Sequence, residues 1–342
     1  MRCENGFFVE SFSFVHSMMV FLLSVCLCVI SLVKCQQIKT DLEACLAGAA
    51  FGTWTFNHFR SSIYNSIRYH RFYSGFYSTL GKKARVLIVG DSINRDGVKN
   101  LCLSSGSPLK NYLNCSDQYL HGNYYCENKN FEIATFFIYG SLIEEADQNA
   151  VAFNQKSHQC DKIPYYNSRD RIKYYLTKVN AFFTFEPTVI LLNAELWTIV
   201  NYSEDFFYQE NKNLLPFAFE YMRNMTILIS EIKHHYPKAI IFIQKNYVPQ
   251  RDNFRINRKS VAYLNSLIDI IAANHGICIA DLNNMASFYP GRMMRSVALS
   301  SRPSSRYRQL NITETDGFHP NLVIRTGLIN LLLNIAYNLK AQ

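Results

Sequence analysis

The chain predicts an α/β protein, a three-layer α/β/α sandwich built around a mostly parallel five-stranded sheet. Three observations lead there. First, five apolar runs, "RVLIVG" (85–90), "FEIATFFIY" (131–139), "TVILLNA" (188–194), "AIIFIQK" (239–245) and "GICIADL" (276–282), are rich in Ile, Val and Phe. They lack the strict alternation of a strand with one wet face, so they read as strands covered on both sides. Second, helical apolar spacing fills the intervals, at 217–235 and 260–275, and closes the chain at 321–339. Strand alternating with helix calls for a parallel sheet with helices on its faces. Third, 342 residues with 49% hydrophobic and 18% charged content suit one large core, and no Gly/Ser- or Pro-rich linker divides them.

Taking the elements in chain order, the N-terminal "SMMVFLLSVCLCVISLVKC", Ser17 to Cys35, is apolar up to Lys34 and gives way at once to "QQIKTDLE". Residues 1–35 read as a secretory signal peptide or an uncleaved signal anchor. Residues 36–342 then form a single domain with long loops, secreted, lumenal in the ER or Golgi, or carried on a single-pass type II membrane anchor. Four sequons begin at Asn114, Asn201, Asn224 and Asn311, and are read as glycosylation sites. Beyond residue 35 stand Cys45, Cys102, Cys115, Cys126, Cys160 and Cys278, an even number that suggests disulfides in an oxidising compartment. Cys115 and Cys126 flank a polar loop and are the expected bridge; Cys278, in an apolar run, is expected to be a buried free thiol.

In open parallel sheets, sites lie beyond the carboxyl ends of the strands. The first run ends in Gly90-Asp91-Ser92, and Val98, Leu101 and Cys102 then recur at helical spacing. Ser92 therefore stands at or beside a helix N-terminus. It is either an N-cap or a nucleophile whose own backbone N–H, aided by the helix dipole, holds a developing oxyanion. Asn193 ends the third run, as a turn former or as a side-chain donor to the same oxyanion. "TETDGFHPN" places Asp316 three residues before His319, just ahead of the last helix, with Pro320 suited to its first position. A carboxylate one turn from an imidazole can accept from Nδ1–H and leave Nε2 as a general base. Each of these features has an ordinary structural reading. Together they converge on one sheet edge.

On these residues the chain resembles the SGNH hydrolase superfamily, the GDSL-type esterases, over roughly residues 80 to 340. "GDSINR" resembles the Gly-Asp-Ser-x-x-Arg form of the PC-esterase-like branch, which includes trichome-birefringence-like, sialate O-acetyltransferase and NXPE-type domains. The resemblance implies an SGNH hydrolase-like, flavodoxin-like fold and a hydrolase or acyltransferase acting on ester bonds. It implies Ser92 as nucleophile, His319 as base and Asp316 as its orienter, with the Ser92 N–H, Asn193 and Gly140 forming the oxyanion hole. The third block, Leu192-Asn193-Ala194, lacks the family's usual Gly-x-Asn-Asp pattern, and Trp197 follows as the aromatic seen in this branch.

Asp91 and Arg95 are auxiliary: Arg95 either pairs with Asp91 to fix the turn or binds an anionic part of the substrate. Asp281, ending the fifth run, is a rival acid whose place suggests a strand-end cap. "GRMMRSVALSSRPSSRYRQLNIT" carries Arg292, Arg295, Arg302, Arg306 and Arg308, either a solvated basic loop or one that steers an acidic or acylated glycan. Arg292, Arg295 and Trp197 are the candidate substrate-binding residues. The basic and aromatic stretch 62–86 could suggest nucleic acid, but lumenal targeting argues against it and favours sugar stacking or packing against the domain. No His/Cys/Asp cluster has metal-ligand spacing, adjacent His234 and His235 included, and no phosphate loop occurs, so no metal or cofactor is expected. The expected partner is an acylated carbohydrate or another small ester.

Overall fold

The strand-forming power of the apolar runs is realised almost residue for residue in a computed structural model. It describes residues 52–55, 58–61, 83–111, 124–137, 185–193, 215–249, 258–287 and 320–339, with single positions 173, 177 and 198. All of them belong to one compact unit, Leu46–Gln342. The elements are β1 (Gly52–Thr55), β2 (His58–Ser61), β3 (Ala84–Gly90), α1 (Ser92–Ser104), β4 (Lys110–Asn111), β5 (Tyr124–Glu127) and β6 (Phe131–Phe137). There follow β7 (Val189–Leu192), α2 (Leu215–His235), β8 (Ile240–Lys245), α3 (Arg258–His275), β9 (Cys278–Asp281), α4 (Leu282–Ser287) and α5 (Leu322–Leu339).

The five expected runs become β6, β3, β7, β8 and β9, adjacent in that order and all parallel. By chain order this is 2-1-3-4-5, the flavodoxin-like doubly wound arrangement. The sheet differs from expectation at one edge, where β5 joins β6 antiparallel and β4 joins β5, giving seven strands. These two strands are short, and "YYCE" lacks the long apolar run that marks a central strand.

The middle strands are dry. Val86, Leu87, Ile88 and Val89 of β3 and Val189 to Leu192 of β7 are all at most 1% exposed. Each such side chain contributes roughly 1.5–3 kcal/mol by burial. Helices α1 and α5 pack on each other and on β3, while α3 covers β8 and β9 and carries α2 beside it. The chain winds one way from β3 to β6 and the other way from β7 to β9, so right-handed crossovers put the two helix pairs on opposite faces. Gly97 lets α1 and α5 approach, since a methyl there would lie 3.1 Å from the Arg325 carbonyl oxygen. Helix α5 is apolar almost all round because the β1–β2 hairpin also lies against it. Among the described residues no helix is long and apolar enough to cross a membrane.

Two cysteine expectations are corrected. Cys126 lies on β5 and is bonded to Cys102 of α1, tying the antiparallel edge to that helix, so it does not pair with Cys115. Cys278 is itself disulfide-bonded and is not a free thiol. The sequon at Asn224 is also withdrawn as a glycosylation site. Asn224 sits within α2 at 1% exposure, and Thr226 of the same sequon is hydrogen-bonded to His275 Nε2. A glycan there would have no path to solvent. Asn114, Asn201, Asn311 and residues 1–35 lie outside the described residues.

Candidate active site

The chain leaves β3 through Gly90 and turns straight into α1. Asp91 is the N-cap, extended at φ −105° and ψ −166°, and its Oδ1 accepts from the Ile93 N–H at 2.9 Å. The alternative of Ser92 as cap therefore falls. Ser92 occupies the first helical position, half-buried, with its hydroxyl not needed for capping. Its backbone N–H is among the first four of the helix, which no intrahelical carbonyl takes, and they face the positive end of the helix dipole. The middle strand of the seven-stranded sheet thus delivers Ser92 to the carboxyl edge.

Behind Ser92, four buried amides close a ring. Asn193 Nδ2 donates to Asn94 Oδ1 at 2.8 Å, and Asn94 Nδ2 donates to Gln244 Oε1 at 2.6 Å. Gln244 Nε2 donates to Asn246 Oδ1 at 2.8 Å, and Asn246 Nδ2 returns to Asn193 Oδ1 at 3.0 Å. A second donation runs from Asn193 Nδ2 to Asn246 Oδ1 at 3.3 Å. None of the four residues is more than 2% exposed. The ring spans α1 and the ends of β7 and β8. Gly90 makes room for it: a methyl there would stand 2.7 Å from Asn94 Oδ1 and 3.4 Å from Asn193 Cβ.

Helix α5 is tied to α1. Asp96 accepts from Arg95 Nε and Nη2 at 3.1 and 2.9 Å through Oδ1, and from Arg325 Nη1 at 3.1 Å through Oδ2. Asn100 Nδ2 donates to Thr326 Oγ1 at 2.8 Å. Asp96 and Asn100, one turn apart along α1, thus bind Arg325 and Thr326 near the start of α5. Asn321 caps α5, its Oδ1 accepting from the Val323 N–H at 2.9 Å. Pro320 accordingly precedes the cap, rather than filling the first helical position as its fixed φ had suggested.

Ser92 and Asn193 are thus brought to one edge, linked through Asn94. Asn193 stands one residue beyond β7, its N–H bonded to the Val89 carbonyl at 2.9 Å. Its side-chain amide donates twice into the ring, so serving an oxyanion requires one of those bonds to be exchanged. The expected Asp91–Arg95 pair is not formed: Asp91 caps, and Arg95 is buried against Asp96, which lies next to it in sequence. Asp281 does cap, its Oδ1 accepting from the Asn284 N–H at 2.8 Å, and burial raises its pKa above the ordinary carboxylate value. Asp316, His319, Gly140, Trp197, Arg292 and Arg295 lie outside the described residues.

Gln244 and Asn246 were not anticipated. The one available signal was a glutamine closing an otherwise apolar strand, with an asparagine two residues later. Asn246 is pinned further by Asn265 of α3, whose Oδ1 accepts from its N–H and whose Nδ2 donates to its carbonyl, both at 2.9 Å. Beyond it a cleft of about 420 Å³ opens at the ends of β8 and β9, lined by Tyr247, Pro249, Arg258, Asn283 and Ser287 among others.

No protein-family model and no curated protein matches the chain. Solved structures similar to it include a GDSL-like lipase from Bacteroides thetaiotaomicron, at 11% identity and a TM-score of 0.38 over 79% of this chain and 95% of that one. A carbohydrate esterase family 3 structure from Talaromyces cellulolyticus is also similar, at 14% identity and a TM-score of 0.32 over 75% and 96%.

Proposed function

We propose that the chain is an extracytoplasmic serine esterase or O-acyltransferase of the SGNH type, acting on acyl, chiefly acetyl, esters of carbohydrate. The observation that carries this reading is Ser92. It sits at the first position of a helix that starts from β3, the middle strand of the seven-stranded sheet, and the adjacent Asp91 relieves it of capping. Ser92 Oγ attacks the ester carbonyl while His319, oriented by Asp316, takes its proton. The Ser92 N–H, Asn193 and Gly140 receive the oxyanion. His319 returns the proton to the departing alkoxide, leaving acyl-Ser92, and water or a sugar hydroxyl then takes the acyl group. The Asp96–Arg325 and Asn100–Thr326 links support the role of His319, because they hold the start of α5, three residues beyond it, against α1. Disulfide bonding at Cys102, Cys126 and Cys278 supports the secretory assignment. Arg292, Arg295 and Trp197 are the residues assigned to substrate recognition.

A second reading, a glycan- or protein-binding protein that keeps the fold without turnover, is favoured by one observation: the Asn193 amide already donates twice inside the ring. A fluorophosphonate probe separates the two. The esterase reading expects wild type to be labelled and Ser92→Ala, equally well folded, to be unlabelled. A folded wild type that takes no label, or a Ser92→Ala variant that labels as wild type does, overturns it.

A further inference from the structure

We propose that Gln244 and Asn246 are positioning residues, which through the amide ring fix the direction of the Asn193 amide and the seat of the first turn of α1. The catalytic half of this inference rests on the reading of Ser92 as nucleophile. Both act through Asn94 and Asn193, to which their amides are bonded.

Directed hydrogen bonds fix the Asn193 amide. An asparagine amide placed at a strand end can face either way, with its carbonyl or its NH₂ toward the neighbouring helix. Here Asn246 Nδ2 takes the Asn193 carbonyl oxygen at 3.0 Å, which turns the Asn193 NH₂ toward Asn94 and the Gly90 turn. Asn246 is held in that sense because Gln244 Nε2 occupies its Oδ1 at 2.8 Å, while the two Asn265 bonds lock its backbone. Gln244 in turn accepts from Asn94, the third residue of α1, at 2.6 Å. The four shortest bonds of the ring run in one rotational sense, and the longer Asn193–Asn246 bond makes that pair reciprocal, so reversing one amide breaks the pattern at its neighbours. Buried at 0%, Gln244 and Asn246 have no water to fall back on. The NH₂ of a side-chain oxyanion donor must face the serine's helix, and this ring imposes that direction.

The test uses the full chain, a fluorophosphonate probe and two variants. Asn246→Asp keeps the shape but loses the donor to Asn193 Oδ1 once its carboxyl ionises. Burial raises the pKa of that carboxyl, so the protonated acid restores the donor at low pH. The rate ratio of variant to wild type is expected near one at pH 5 and at least tenfold lower at pH 8. Gln244→Met, similar in length and neutral, is expected to label at least tenfold slower at both pH values. Thermal melts confirm that the molecules compared are folded. Rate ratios near one for both variants at both pH values overturn the inference. If wild type takes no label, the esterase reading has failed, and hydrogen exchange over Ser92–Arg95 decides the positioning by itself. Exchange at least tenfold faster in Gln244→Met supports it, and equal exchange overturns it.

Discussion

The body of the sheet and its carboxyl edge are built from the same strands by opposite means. In the body, Val86 to Val89 of β3 and Val189 to Leu192 of β7 are apolar and at most 1% exposed, packed by shape alone. At the carboxyl ends of the strands the interior turns polar, and Asn94 of α1, Asn193, Gln244 and Asn246 are buried at no more than 2% exposure. Apolar packing is non-directional and tolerates small readjustments. A buried amide ring is directional and holds only if every partner is present, because each orphaned donor or acceptor costs roughly 1–3 kcal/mol. The body therefore supplies stability and the edge supplies orientation, and Ser92 stands where the two meet.

Three substitutions probe that division, in falling order of expected effect. Ile190→Ala, in the centre of β7, is expected to lower the unfolding free energy by about 2–5 kcal/mol. Ser92 in the molecules that remain folded should label at the wild-type rate. Denaturant unfolding and the labelling rate per folded molecule check both halves. Slowed labelling of folded Ile190→Ala would erase the distinction between body and edge.

Gly90→Ala pushes a methyl to 2.7 Å from Asn94 Oδ1, inside contact distance of one amide of the ring. The expected cost is about 1–3 kcal/mol of stability, smaller than for Ile190→Ala, with a larger loss of Ser92 labelling. The same two measurements decide it, and a variant that labels as wild type does would mean the ring is not coupled to the serine.

The smallest effect is at Asp281, the acid that ends β9. Burial raises its carboxyl pKa in the folded state, against the opposing pull of the Asn284 N–H and Lys245. Folding thus favours the protonated acid. Its contribution is present below the unfolded pKa and is lost as pH rises through the folded one. Asp281→Asn keeps the Oδ1 that caps at Asn284 and removes the titration. Its stability relative to wild type is therefore expected to rise between pH 4 and pH 7, by thermal melting at each pH. A difference independent of pH would show that Asp281 does not titrate differently in the folded protein.

What the sequence determined by itself was whatever depends on near neighbours along the chain. Apolar runs bounded by turns gave all five parallel strands within a few residues, and helical spacing gave α2, α3 and α5, because burial on both faces leaves a compositional trace in each segment separately. Gly90-Asp91-Ser92 was legible as a strand-to-helix turn for the same reason, although a serine and an aspartate cap equally well on paper and only the fold gave the cap to Asp91. The tertiary structure decided what depends on partners far apart in sequence. Cys126 chose Cys102, 24 residues away, over the nearer Cys115, because β5 runs beside α1. The sequon at Asn224 looked like any other until α2 turned it inward. Asn94 and Gln244, 150 residues apart, became neighbours only when β3, β7 and β8 lay side by side. An amide carries no mark of whether water or another amide will satisfy it, so the ring behind Ser92 exists only in the folded chain.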